Sequence, residues 1–108
     1  MSTSNQSVRG TSTPVGAATT HKIYNVVSDA TPGTEFSQVL SSSVKQLMIR
    51  CRQANTIQFT FVSGESGTKF ITIPKNATYK AVELNLSSAT LYMQVDGASK
   101  TVEIEEWS

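Results

Sequence analysis

Two runs of alternating side chains lie within residues 44–61, VKQLMIRCRQANTIQFTF, and they decide the fold class. Successive side chains of an extended chain point to opposite faces, so a period of two predicts β-strands with one buried face. In the first run, Met48, Arg50 and Arg52 then face outward. The side chains that this period turns toward a core are Leu47, Ile49, Cys51, Ile57, Phe59 and Phe61.

The same alternation continues toward the C-terminus and predicts further strands with one buried face. Polar turn residues separate the runs, and no window carries an apolar 3.6-residue repeat long enough for a helix. The additional side chains that we expect to face inward are Val82, Leu84, Leu86, Leu91, Met93, Val95, Val102 and Ile104.

Eight strands at spacings of about ten residues are typical of an all-β domain. We expect an antiparallel β-sandwich or a jelly-roll-like body, with one hairpin across residues 64–67 and another across Asp96-Gly97. The predicted strands lie near residues 22–28, 34–40, 44–52, 56–63, 68–73, 79–86, 90–95 and 100–107.

The first twenty residues have a different composition. Nine of them are Ser or Thr, and Val8 and Val15 are their only large apolar residues after Met1. Such a segment cannot bury enough surface to order itself, so we interpret residues 1–20 as an extended arm and residues 21–108 as the β-sandwich domain. Two placements stay open for the arm: along its own domain, or across a neighbouring subunit.

Composition excludes several classes of function. The chain has 108 residues, 16% of them charged, a net charge of +1, one Cys and one His. Near neutrality gives no electrostatic drive toward nucleic acid or a membrane surface, and no apolar run reaches the ~18–20 residues of a membrane helix. Single Cys and His residues exclude a disulfide framework and a Cys- or His-rich metal site. We therefore expect no enzyme, no catalytic residue, no metal and no cofactor, and no signal peptide.

Cys51 is the only thiol, and it falls in the inward register of its strand. A buried unpaired cysteine is usually a small apolar core residue. Nucleophilic catalysis would need a base, and nothing in the sequence positions His21, the only imidazole, beside it. We interpret Cys51 as part of the core.

An acidic run stands on the last strand, at Glu103, Glu105 and Glu106. We interpret it as a solvated strand face, because a calcium loop would need clustered Asp, Asn and Gly in a turn. Arg50 and Arg52 also face outward, so ion pairs between these two strands are expected if the strands are neighbours.

Trp107 breaks the alternation of the last strand. A regular strand that turns Val102 and Ile104 inward also turns Glu106 inward and Trp107 outward. A bulge near Glu105-Glu106 would reverse both, and we favour that bulge because it buries the indole and exposes the carboxylate. Without the bulge, Trp107 is a candidate interface anchor.

Four short segments, which follow one another in a fixed order within residues 34–107, together resemble a known class of proteins. They are a strand ending in Arg50-Cys-Arg52, a hairpin around Ser66-Gly-Thr68, the strand Leu91-Tyr-Met-Gln94 and the terminal Val102-Glu-Ile-Glu-Glu-Trp107. As a set they resemble small virion proteins of tailed bacteriophages. The resemblance implies a particle component: a capsid decoration, or cement, protein, or a neck or tail protein of similar size.

The resemblance implies a location in the virion, on the capsid surface first, after synthesis in the host cytoplasm. The expected partners are the major capsid protein or other virion subunits and further copies of the chain, without nucleic acid or membrane. A carbohydrate-binding module on a tail or fibre is the alternative, with Tyr24, Tyr79, Tyr92 and Trp107 as its candidate aromatics. The candidate interface residues are Val8, Arg9, Pro14, Val15, Arg50, Arg52, Tyr92 and Trp107.

Overall fold

The computed structural model describes residues 20–108, and this part of the chain contains ten strands and no helix. The candidate residues Val8, Arg9, Pro14 and Val15, and all of the predicted arm except Thr20, lie outside the described residues. The strands are β1 (His21–Val27), β2 (Phe36–Val39), β3 (Ser43–Val44), β4 (Gln46–Cys51), β5 (Ile57–Thr60), β6 (Ile71–Ile73), β7 (Thr78–Ala81), β8 (Leu86–Ser87), β9 (Thr90–Val95) and β10 (Thr101–Trp107).

The strands form two four-stranded antiparallel sheets, which confirms the predicted all-β sandwich. The first sheet has the order β1-β10-β4-β7 and the second β2-β9-β5-β6, while β3 and β8 pair with each other. The alternating apolar faces of both sheets meet in one core, as period-2 patterning requires. Its buried side chains are Leu40, Val44, Leu47, Ile49, Ile57, Phe59, Ile73, Leu91, Met93, Val95, Val102 and Ile104.

Two of the predicted strands are divided, which accounts for ten strands in place of eight. The predicted strand 44–52 is interrupted at Lys45, and the predicted strand 79–86 ends at Ala81. Glu83 adopts a left-handed backbone with φ of 58°, which a continuous strand cannot contain. The expectation that Val82 faces inward is therefore wrong, since its side chain is 51% exposed. Tyr79 packs against the core from β7 instead.

Phe61 is a second residue whose predicted inward orientation is wrong, again because the strand ends before it. Strand β5 ends at Thr60, so the phenyl ring of Phe61 lies beyond the last regular residue and is 39% exposed. Ile57 and Phe59, the two earlier members of that run, are buried as predicted. Cys51 is partly buried and packs against the core, in agreement with its predicted register.

One of the two predicted hairpins exists. Strands β5 and β6 pair across the loop that contains Gly64, whose φ of 81° suits a residue without a Cβ. The hairpin predicted at Asp96-Gly97 is wrong, because β9 belongs to the second sheet and β10 to the first. Asp96 instead ties this crossing to the β4–β5 loop, since its Oδ1 accepts hydrogen bonds from Asn55 Nδ2 at 2.9 Å and Thr56 N at 3.0 Å.

Strand β10 runs without a bulge from Thr101 to Trp107, in unbroken register with β1 on one side and with β4 on the other. The bulge that we favoured from the sequence is therefore wrong. Glu106 is fully buried, and Trp107 lies on the outer face of the first sheet with 37% of its surface exposed.

Candidate docking face

The outer face of the first sheet gathers charged and apolar side chains from β1, β10 and β4. Paired residues of the three strands form three rows across this face. The first row contains His21 and Trp107. The second contains Ile23, Glu105 and Met48, and the third contains Glu103 and Arg50. Arg52 follows directly after β4 and reaches the same carboxylate as Arg50. We call this surface the mixed face, and its members are His21, Ile23, Met48, Arg50, Arg52, Glu103, Glu105 and Trp107.

Glu103 holds two arginines on the mixed face, at the end away from Trp107. Arg50 Nε donates to Glu103 Oε1 at 2.6 Å, and Arg52 Nε donates to Glu103 Oε2 at 2.8 Å. The hydrogen bond from Arg50, followed by that from Arg52, holds the pKa of Glu103 below its ordinary value. The ion pairs expected from the sequence are thus present. Because both guanidinium groups are half exposed, each pair contributes under about 1 kcal/mol to stability, and their main effect is to fix the two side chains in place.

Trp107 stacks on His21 at the end of the mixed face where β1 begins. The two ring centroids are 4.1 Å apart and the ring planes differ by 21°. His21 Nε2 lies 2.6 Å from Glu105 Oε2, so the imidazole is held between the carboxylate and the indole. The indole therefore has a fixed orientation although a third of its surface is open to solvent.

Apolar side chains lie between these polar groups. Ile23 is 63% exposed and Met48 is half-buried beside it. An open depression of about 330 Å³ lies between Ile23, Met48 and the Arg50–Glu103 pair, and a smaller one of about 150 Å³ lies between Met48 and Trp107. A shallow surface with charged side chains held in place is typical of a contact area for another macromolecule.

The structure brings three of the predicted interface residues together and separates the fourth. Arg50, Arg52 and Trp107 lie on the mixed face. Tyr92 lies between the inward-facing Leu91 and Met93, and so on the outer face of the second sheet.

Sequence reasoning missed Ile23 and Met48 as members of a site. The alternation of β4 predicts that Met48 faces outward. In β1 it predicts neither face, because Ile23 and Val27 alternate with Tyr24 and Val26, which are also largely apolar. Pairing of β1 with β10 supplies that information, because it sets Ile23 beside Glu105.

The outer face of the second sheet is neutral. Gln58 of β5 lies opposite Gln94 of β9 and Thr72 of β6, and Thr60 lies opposite Tyr92. No ion pair crosses this face in the described part of the chain. Among the strands of the described chain, the outer face of the first sheet thus carries charged side chains and that of the second does not. A partner with complementary charges would bind the first in preference to the second.

The candidate aromatics for carbohydrate binding do not form a platform. Tyr24 and Tyr79 pack against the core, Tyr92 lies on the outer face of the second sheet and Trp107 on that of the first. Sugar-binding surfaces use exposed rings that share a face. This arrangement counts against the carbohydrate-binding alternative.

Cys51 and His21 lie apart in the first sheet. Cys51 pairs with Val102 near the start of β10, whereas His21 pairs with Trp107 at its end, and the two side chains point to opposite faces. Five residues of strand separate the two rows, or roughly 17 Å. The structure does not join them into a nucleophile and base.

Glu106 is a carboxylate in the interior of the first sheet. Its Oε1 accepts a hydrogen bond from Ser41 N at 3.1 Å, while Oε2 and Ser41 Oγ have no hydrogen-bond partner among residues 20–108. Burial raises the pKa of the neighbouring Tyr24, and the negative charge of Glu106 adds to that shift. A buried carboxylate with no cation within ion-pair distance in the described chain costs stability, because the hydrogen bond from Ser41 N offsets only part of its desolvation.

Glu106→Gln is therefore expected to raise the free energy of unfolding by about 1 kcal/mol at neutral pH. The amide keeps an acceptor for Ser41 N and removes the buried charge. Urea unfolding followed by tryptophan fluorescence measures the change, with Glu105→Gln, at a partly buried residue on the outer face of the same strand, as the matched control. A loss of stability in Glu106→Gln larger than in the control would show that the charge is favourable where it lies.

Glu35 ties the β5–β6 hairpin to the loop before β2. Its carboxylate accepts hydrogen bonds from Ser66 Oγ at 2.6 Å, Gly64 N at 2.9 Å and Ser66 N at 3.2 Å. The hydroxyl of Ser66, followed by the amide of Gly64, holds the pKa of Glu35 below its ordinary value. Neighbouring Asn55 does the same for the pKa of Asp96.

Acid is expected to destabilise the protein through these carboxylates. Glu35, Asp96 and Glu103 all have lowered pKa values in the folded state, so the unfolded chain binds more protons as pH falls. Their contribution is complete above the unfolded pKa values and is lost as pH falls through the folded ones. Thermal unfolding from pH 7 to pH 3 measures this, and Glu35→Gln is expected to make the unfolding temperature depend less steeply on pH. Equal pH profiles for Glu35→Gln and the parent chain would contradict the assignment.

Comparison of the chain with protein families, with curated proteins and with solved structures found no match. Residues 20–108 contain no group of three or more His, Cys, Asp or Glu side chains placed to hold a metal ion. No helix long and apolar enough to span a membrane occurs in the described chain.

Proposed function

We propose that the chain is a non-enzymatic structural protein of a virus particle, and specifically a capsid decoration protein that binds across shell subunits. The observation that carries the proposal is the mixed face, an open surface on which Arg50, Arg52, Glu103 and Trp107 are fixed by mutual contacts. The sequence resemblance of residues 34–107 to small virion proteins of tailed bacteriophages supports the same class.

The composition of the mixed face supports contact with another protein. Tryptophan, methionine and arginine are enriched in protein interfaces, and here Met48 lies between Trp107 on one side and Arg50 on the other. Two of these side chains are already ordered, by His21 and by Glu103. Binding therefore loses less side-chain entropy than it would with free arginine and tryptophan side chains.

The predicted arm adds a second attachment to the same particle. Thr20, its last residue, exchanges two backbone hydrogen bonds with Ser108, and it therefore lies next to the His21–Trp107 end of the mixed face. A second contact on one particle makes the other contact effectively intramolecular and raises the overall affinity. Val8, Arg9, Pro14 and Val15 remain the proposed contact residues of this segment.

Co-sedimentation with particles that lack the protein tests the proposal. Heads are purified from a virus whose copy of this coding sequence is deleted, and purified chain is added before a density gradient. We expect the chain to saturate the heads and to raise their melting temperature. If tails or necks bind the chain and heads do not, the proposed location changes to the neck or tail. If no particle binds the chain, the proposal of a structural role in the virion is wrong.

Removal of residues 1–19 tests the role of the arm separately. Thr20 and its two hydrogen bonds to Ser108 stay in place, so the domain is expected to keep its unfolding temperature. We expect the truncated chain to bind heads at least about tenfold more weakly, in line with the loss of a second linked contact. Unchanged affinity and unchanged particle stability would contradict the arm model.

A further inference from the structure

Within residues 20–108, strand β1 leaves a long edge of the first sheet without a partner strand. It has seven residues and pairs with β10 along its whole length, whereas the other three edge strands, β2, β6 and β7, have four, three and four. Natural sheets usually keep open edges short, or interrupt them with proline or a bulge. Strand β1 contains no proline and no bulge, although it carries a lysine, Lys22, so its length is what suits this edge to accept another strand.

The hydrogen-bond alternation identifies the free backbone groups of β1. Thr20 and Ser108 exchange two hydrogen bonds, and Ser28 N donates to Lys100 O, so the even-numbered residues of β1 bond to β10. The odd-numbered ones then point their N–H and C=O groups away from the sheet. Within residues 20–108 these groups have no backbone partner, and they belong to His21, Ile23, Asn25 and Val27.

The other edges offer fewer free groups. The same alternation leaves residues 37 and 39 free on β2, residues 78 and 80 on β7, and residue 72 on β6. On β2, the carbonyl of Val39 already accepts a hydrogen bond from Gln38 Nε2 at 2.8 Å. Strand β1 therefore holds the largest uninterrupted set of unpaired backbone groups among the described residues.

We propose that β1 pairs antiparallel with β1 of a second copy, about a two-fold axis at Tyr24. In this register His21 lies opposite Val27 of the second copy, and Ile23 opposite its Asn25. All four free residues of each chain then form hydrogen-bonded pairs, which makes eight intermolecular hydrogen bonds. No other antiparallel register pairs all four, so the edge is complementary to itself.

The side chains of β1 also fit this register. Ile23 becomes a diagonal neighbour of both Ile23 and Val27 of the second copy, so two exposed apolar side chains of each chain are covered. Lys22, the only Lys, Arg, Asp or Glu of β1, lies opposite Val26 of the second copy rather than opposite a like charge. The pairing thus buries apolar surface without opposing charges.

The dimer would join the two mixed faces into one continuous surface, because the first sheets merge edge to edge. It would also bring Thr20 of each chain beside Ser28 of the second copy. This inference does not depend on the proposed function, because a chain that binds no particle would still dimerise.

Sedimentation equilibrium of the full chain tests the interface with two proline variants. Asn25→Pro removes a free N–H and places its ring in the proposed interface, but it spares every hydrogen bond to β10. Ser37→Pro makes the same change on the open edge of β2 and is the matched control. We expect a dimer for the parent chain, an unchanged dimer for Ser37→Pro, and a dissociation constant raised at least about tenfold for Asn25→Pro.

Amide hydrogen exchange of the parent chain gives a readout that does not depend on the folding of any variant. The amides of His21, Ile23, Asn25 and Val27 are expected to become protected as protein concentration rises, while the amide of Ser37 stays fast. A parent chain that remains monomeric, or a dimer in which these four amides exchange as fast as that of Ser37, would overturn the proposal. Loss of protection on removal of residues 1–19 alone would also overturn it, because the arm would then be the strand that covers the edge.

Discussion

Replacement of Phe59 by alanine is expected to lower the free energy of unfolding by about 3–5 kcal/mol. Phe59 lies on β5 of the second sheet with 2% of its surface exposed, and its ring meets that of Tyr79 on β7 of the first sheet. The two centroids are 4.8 Å apart with an interplanar angle of 62°, an edge-to-face contact between the sheets. Removal of the ring leaves a cavity where the two layers meet.

Phe61→Ala is the matched control for this measurement. Sequence alternation predicts the same inward orientation for both rings, whereas the structure leaves Phe61 39% exposed beyond the end of β5. Removal of the Phe61 ring is expected to lower the free energy of unfolding by about 1 kcal/mol or less. Equal destabilisation by the two substitutions in urea unfolding would mean that β5 extends further and that the described sandwich is wrong at this point.

Trp107→Ala is expected to weaken binding to particles by at least about thirtyfold, or about 2 kcal/mol. The indole is the largest side chain of the mixed face, and its stack on His21 presents it in one orientation. Its backbone carbonyl accepts a hydrogen bond from Lys45 N at 2.7 Å, which alanine preserves. Affinity is measured by co-sedimentation of labelled chain with particles that lack the protein.

Tyr92→Ala is the control for the mixed face. Tyr92 is a half-buried aromatic on the opposite outer face, where the surrounding side chains are neutral. Its substitution is expected to leave particle affinity within about threefold of the parent chain. If Tyr92→Ala abolishes binding and Trp107→Ala does not, the docking surface lies on the second sheet.

Local alternation predicted most of the core. Leu47, Ile49, Leu91, Met93 and Ile104 are buried as their period of two requires, because a slip of one residue would have turned each apolar set to solvent. Where a strand stops, the alternation stops with it. The left-handed backbone at Glu83 ended one predicted strand, and no residue near it marks that break in the sequence.

Pairing between distant strands was beyond sequence reasoning. The contact of Glu103 with Arg50 and Arg52 was expected only on the condition that β4 and β10 are neighbours, and the structure supplies that condition. The Asp96-Gly97 turn signal is local, so it could not tell a hairpin from a crossing between sheets. The crossing depends on contacts of Asp96 with residues some forty positions earlier.

The end of β10 shows the limit of a rule based on burial alone. We favoured a bulge because it would bury Trp107 and expose Glu106, and the structure does the opposite. The register with β1 and β4 is kept, and the buried carboxylate receives a backbone hydrogen bond from Ser41. The exposed indole that results is the largest side chain of the proposed docking face.

Quantitative mass spectrometry of purified virions tests the central claim most directly. To test the proposed virion role, particles made from a phage genome that carries this coding sequence are purified through two successive density gradients, and the chain is counted against the major capsid protein. We predict many copies per particle in a constant ratio to the shell protein, lost when the coding sequence is deleted. A chain that is abundant in infected cells but missing from the purified virions would contradict the account.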